Sequence, residues 1–186
     1  MLKRLLAGVL SVGLLFPVIA WAGENEERVF SAFKMICLDA GDHVQTMSDN
    51  LFRTGHTIVQ SPIVEKSMGA GEGLVWNDLR SPVGYYIKID RNHVCTLGSQ
   101  EVDGQELEAL FVFRTKNRQI GNWVYGDNLE RTYATTLENP TTKETRKTVV
   151  IVTMPVKEGV NGIFISAMPI EMARSIGKDI KGGDWR

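Results

Sequence analysis

Apolar residues fall at Val29, Ala32, Phe33, Ile36, Cys37 and Ala40, the i, i+3, i+4, i+7 spacing of a helix with one buried stripe. Gly41 stops that helix as a C′ glycine. Asp42, with Gln45 three residues on, has the capping-box spacing of a second helix. Val44, Met47, Leu51 and Phe52 form its apolar side, and Gly55 closes it. The periodicity then weakens: HTIVQSPIVEK reads as a short extended segment, SMGAGEG as a flexible glycine run, and 74–79 as a short strand or turn. From Tyr85 the period drops to two, with Tyr85, Ile87 and Ile89 alternating with Tyr86, Lys88 and Asp90 before HVCTL, so 85–97 reads as a hairpin. A three-residue loop at 90–92, with Asn92 left-handed, sets Ile89 opposite His93 and Ile87 opposite Cys95. That register aligns Tyr85, Ile87, Ile89, Cys95 and Leu97 on one apolar face, ready to receive the first helix.

Asp103 and Glu106 repeat the capping-box spacing ahead of Leu107, Leu110 and Phe111, which predicts a helix to about Thr115. NRQIGNWVYGDN reads as a surface loop, with NWVY open to a strand reading. Strands follow at 129–137, 148–154 and 163–168, separated by turn signals at Asn139-Pro140 and 159–162. The middle one contains TVVIVTM, apolar on both faces, and belongs at the centre of a sheet covered on each side. A short helix at 170–176 and a polar tail end the chain. The expected fold is therefore α+β: a five-stranded antiparallel sheet packed by two N-terminal helices and one inserted helix. Its order is helix, helix, hairpin, helix, three-strand meander, short helix. This order resembles that of profilin-like and roadblock-like domains, which share a five-stranded sheet flanked by helices. The likeness is one of element order, without a shared motif, and implies no function.

The N-terminus adds a compartment. Lys3 and Arg4 precede a stretch free of charge from Leu5 to Ala20, and Ala20-Trp21-Ala22 puts small residues where a signal peptidase reads. Residues 1–22 are expected to be a removed signal peptide, leaving 23–186 as one globular domain, exported to the periplasm or secreted. Without Lys3 and Arg4, 19 basic side chains face 22 acidic ones, and no basic stripe suggests nucleic acid. No later stretch has the length and apolarity of a membrane span. In an oxidising space the chain's 2 cysteines have one connectivity, Cys37 to Cys95, tying the first helix to the hairpin.

Candidate chemistry is sparse. GAGEG at 69–73 lacks the GxxxxGK[ST] or GxGxxG spacing of a phosphate cradle. His43, His56 and His93 show no metal-ligand spacing, so neither a metal nor a cofactor is expected. There is no GxSxG elbow. Trp123 and Tyr125 lie between glycines in GNWVYGDN, and Trp76 follows the glycine run; aromatics so presented are enriched at binding surfaces. A core-lid role for Trp123 is the competing reading. The expectation is an exported, non-enzymatic binding domain that engages an envelope protein or small ligand through loops 69–76 and 121–128, with Trp76, Trp123 and Tyr125 at the site. The alternative is an envelope hydrolase with His93 as base and Cys95, or a serine such as Ser61, Ser67, Ser81 or Ser99, as nucleophile.

Overall fold

Eight strands form one antiparallel sheet in the order β1-β2-β3-β4-β8-β7-β6-β5, and five α-helices accompany it among the described residues. The structure, a computed structural model, describes residues 23–40, 43–68, 72–138, 143–157 and 159–175. The leader read at 1–22, Gly41 and Asp42, the glycines at 69–71, Asn139-Pro140 and the tail beyond Ser175 lie outside these ranges. In chain order the elements are α1 (Glu24–Phe33), α2 (Val44–Arg53), β1 (Thr57–Ile58), α3 (Pro62–Ser67), β2 (Gly73–Asn77), β3 (Tyr86–Asp90), β4 (Cys95–Ser99), α4 (Gly104–Thr115), β5 (Arg118–Tyr125), β6 (Asn128–Glu138), β7 (Thr145–Pro155), β8 (Ile163–Pro169) and α5 (Ile170–Ser175).

The expected five-stranded sheet is wrong: the hairpin and the meander are extended by β1 and β2 on one side and by β5 on the other. The extra strands escape pattern reading for a physical reason. An outer strand has solvent on most of its surface, so nothing forces its residues to alternate. β1 is exposed at both positions, and β5 carries no buried residue along its eight. β7 behaves oppositely, because Val150, Val152 and Met154 enter the main core while Val149 and Ile151 lie under α5 on the other face.

The hairpin register also differs from the one expected. Ile89 pairs with Cys95 and Ile87 with Leu97, a shift of two residues that leaves the same side chains on the same face. Asp90 sets the turn. Its carboxylate accepts the Asn92 and Val94 backbone N–H groups at 2.8 and 2.9 Å, and His93 N–H reaches Asp90 O at 3.2 Å. The left-handed residue is therefore His93, at φ +64°, rather than Asn92.

One face of the sheet carries the core. Val29, Ala32, Phe33, Ile36, Cys37 and Ala40 are all buried on it. α1 runs into a π-helical turn, Lys34–Leu38, that delivers Cys37 to Cys95. The two cysteines form a disulfide with Cα atoms 5.5 Å apart. α4 packs beside α1, where the Phe33 and Phe111 rings meet edge-on at 6.5 Å. Asp103 caps α4 through the Gln105 and Glu106 N–H groups, and its own N–H donates to the buried Glu26 carboxylate of α1 at 3.0 Å.

α3 was not anticipated. Its signal is Ser61-Pro62: the serine side chain accepts from Val64 N–H, and proline occupies the first helical position. With six residues and none buried, it offered no periodicity to read.

Candidate functional site

An open trough of about 510 Å³ lies between α1 and the strap of residues 78–85. Glu24, Glu27, Arg28, Ser31 and Ala32 of α1, with Met35 of the π-helical turn after it, form one wall. Asp78, Arg80, Ser81 and Pro82 face them, and Thr54, His56 and Tyr85 complete the lining.

The end of α2 places His56. Gly55, at φ +78°, takes the left-handed C′ position. His56 N–H then reaches Leu51 O at 2.9 Å and Gly55 N–H reaches Phe52 O at 3.0 Å, the paired bonds of a Schellman ending. Arg80 lies across that ending and donates to Thr54 O; a Cβ on Gly55 would stand 2.3 Å from its guanidinium. The cation thereby satisfies an orphan carbonyl and complements the negative end of the helix.

His56 and Tyr85 are both buried and share a hydrogen bond of 3.0 Å between Nε2 and the phenol oxygen. The network assigns the tautomer. Thr54 Oγ1 spends its hydrogen on Asn50 O at 2.7 Å, so at 2.9 Å it accepts from His56 Nδ1–H. Nε2 is left to accept from the Tyr85 hydroxyl. Burial pulls the His56 pKa down, with the nearby Asp78 charge opposing. Burial, aided by Asp78, pushes the Tyr85 hydroxyl up to about 12. The pair is thus a neutral imidazole held by a phenol that keeps its proton: a rigid lining rather than an activated nucleophile.

Both shifts carry a stability consequence. His56 binds a proton more readily unfolded than folded, so its contribution is complete above its ordinary pKa near 6.5 and is lost as pH falls below it. Tyr85 holds its proton more tightly when folded, so its contribution is complete below pH 10 and is lost as pH rises towards 12, about 2–3 kcal/mol in all. Urea midpoints measured from pH 5 to 11 should fall at both ends, and the alkaline fall should be smaller in Tyr85→Phe.

The residues expected at the site from sequence do not converge. Trp76 sits in β2 rather than in a loop and is 1% exposed, its ring 4.7 Å from that of Phe52. Trp123 and Tyr125 sit in β5 rather than in a loop. Six strand-to-strand steps separate β2 from β5, roughly 29 Å at ~4.8 Å each. Trp123 is half-buried and lies over Gly121, where a Cβ would stand 2.0 Å from the indole, so the aromatic covers a glycine of the outermost strand. Tyr125 is exposed beside Val124 at the end of the β5–β6 hairpin.

The nucleophile candidates fare differently. Cys95 shares its sulfur with Cys37, so the cysteine version of the hydrolase reading is overturned. His93 is in the turn before β4, not on the strand face of Cys95. Ser81 lies in the trough with His56, but its Oγ accepts from Val83 N–H and both His56 ring nitrogens are engaged by Thr54 and Tyr85. Among the described residues no group of three histidine, cysteine or carboxylate side chains is placed to hold a metal, and no helix is long and apolar enough to cross a membrane.

Sequence reading missed the trough. His56 was visible only as a residue past a glycine-closed helix, and Tyr85 only as part of an apolar face. A histidine directly after a C′ glycine was the one usable signal, since the Schellman ending aims that residue back at the fold. Comparison of the chain with protein-family models, with curated proteins and with solved structures finds no match in any of the three.

Proposed function

We propose that this chain is an exported, non-enzymatic binding domain of the cell envelope, and that its trough holds an extended segment of a protein partner. The observation that carries this reading is the shape and charge of the trough. Its helical wall, α1 and the start of the turn after it, runs from Glu24 to Met35, about 16 Å at the helical rise, which matches roughly five residues of extended chain. Glu24, Glu27 and Arg28 face Asp78 and Arg80, so both walls carry both signs, with Ala32, Met35 and Pro82 as apolar contacts between them. Opposed mixed charges favour a partner segment that is itself mixed, and they fix its register more than its affinity. The location rests on the leader pattern of residues 1–22 and on the buried disulfide. The β5–β6 hairpin, with Val124 and Tyr125 exposed, offers a protein partner a separate contact at the far edge of the sheet.

A photo-crosslinking residue at Ser31 or Ser81, in the trough, should yield a discrete adduct in envelope extract. The same residue at Lys147, on the exposed β7 end, should not. Joint charge reversal, Arg28→Glu with Arg80→Glu, should reduce the adduct at least tenfold. Equal labelling from Lys147, or none from either trough position, would remove the reading.

A further inference from the structure

Among the described residues β5 has a neighbouring strand on one side only, so the backbone N–H and C=O groups along its outer side have no strand to pair with. The two edges of the sheet differ. β1 is two residues long, too short to template another strand, whereas β5 runs for eight. Edge strands are usually guarded by lysine, proline or inward-pointing charge. β5 reads RQIGNWVY, and its one charged residue, Arg118, stands at the first position. A bulge between Gln119 and Gly121 bends the start of the strand and leaves 121–125 as a regular, uncharged stretch. Gly121, Trp123 and Tyr125 oppose Thr132, Glu130 and Asn128 and share the face on which α5 lies. Asn122 and Val124 oppose Arg131 and Leu129 on the α4 side.

We infer that residues 121–125 of β5 pair antiparallel with the same residues of a second copy of this chain, joining two sheets into one. This names the partner for the far-edge contact that Val124 and Tyr125 offer. A two-fold axis at Trp123 sets Trp123 beside its own copy, Val124 opposite Asn122 and Tyr125 opposite Gly121. Every pair then joins residues of one face, as antiparallel pairing requires; an axis between two residues would set opposite faces against each other. An axis at Asn122 would keep the faces matched but draw the bulge into the pairing. Tyr125 of the second copy meets the indole that already lies over Gly121, so two tryptophans and two tyrosines form one aromatic cluster, the side chains that anchor interfaces. No charge lies within the paired stretch, so two copies bring no like charges together there. The assembly closes at two, because pairing consumes the long edge of each copy and leaves β1 at both ends.

Sedimentation equilibrium of the oxidised protein should give twice the mass of one chain and show dissociation on dilution. Amide exchange at 121–125 should slow as concentration rises, while exchange at Thr57 and Ile58 of the other edge should not change. Trp123→Lys sets like charges opposite each other across the axis and should weaken association about tenfold or more, as should Trp123→Glu. Mixing those two variants should restore association as an equimolar heterodimer, which chains that had merely lost their fold would not do. Should neither fold without the indole over Gly121, Val124→Lys, at a position 63% exposed, weakens the dimer from the α4 side. A single-chain mass at every concentration, exchange at 121–125 that ignores concentration, or variants that dimerise as well as the parent would each overturn the proposal. So would two folded variants of opposite charge that fail to associate when mixed. β5 contributes no residue to the trough, so these outcomes leave the crosslinking result untouched.

Discussion

Replacing Cys37 and Cys95 together by alanine should lower the stability of the protein by about 4 kcal/mol and its Tm by roughly 8–16 °C. The bridge spans 58 residues, and the entropy of closing a loop of that length in the unfolded chain gives the energy. Its position explains why the loss should be felt throughout. Cys37 lies in the π-helical turn that follows α1, and Cys95 opens β4 near the middle of the sheet, each at most 1% exposed. Cutting the link frees α1, whose Phe33 is packed on Phe111 of α4 and whose Glu26 holds the first turn of α4. Against a usual total of ~5–15 kcal/mol, that is a large fraction. Thermal melts of oxidised protein, reduced protein and the double variant provide the measurement. The variant should fall somewhat below the reduced protein, because alanine also leaves two small voids. A Tm change under about 3 °C would mean that packing alone seats α1.

Glu108→Ala is expected to be the next most damaging change, at about 2–3 kcal/mol. Glu108 lies on the buried side of α4, 3% exposed. One carboxylate oxygen accepts from the Tyr133 hydroxyl and the other from the Arg131 guanidinium, both from β6. Burial, reinforced by Glu108, raises the Tyr133 hydroxyl well above its ordinary value, so it remains a donor. Removing the carboxylate strands a cation and a buried hydroxyl together. The Arg131 side chain is 33% exposed, and water offsets part of that loss, hence a figure below that of a fully buried pair. Tyr133→Phe deletes one hydrogen bond and should cost about 1 kcal/mol. Urea unfolding of both single variants and the double would show a coupling; strict additivity would mean that the three side chains do not act together.

How much of this was legible depended on burial. The stripe of α1, the Asp103 cap of α4 and the doubly apolar β7 were readable because each is a one-sided or two-sided burial requirement written into consecutive residues. The hairpin face was readable although its register was not: Asp90 as a turn former shifts the pairing by an even number, and parity survives. β1, β2, β5 and α3 were illegible or ambiguous because they are short or lie at the margins, where solvent tolerates any order of residues.

The trough has a different obscurity. His56 and Tyr85 are 29 positions apart and meet only when the end of α2 comes against the strap before β3. By itself the sequence determined which cysteines pair, where Asp103 caps α4 and which strand is covered on both faces, since those follow from local chemistry and a period. The tertiary structure alone decided the number of strands, the burial of Trp76 and the meeting of His56 with Tyr85. Those depend on which distant surfaces come into contact, and the burial energy that selects among them is summed over the whole core rather than carried by any one segment.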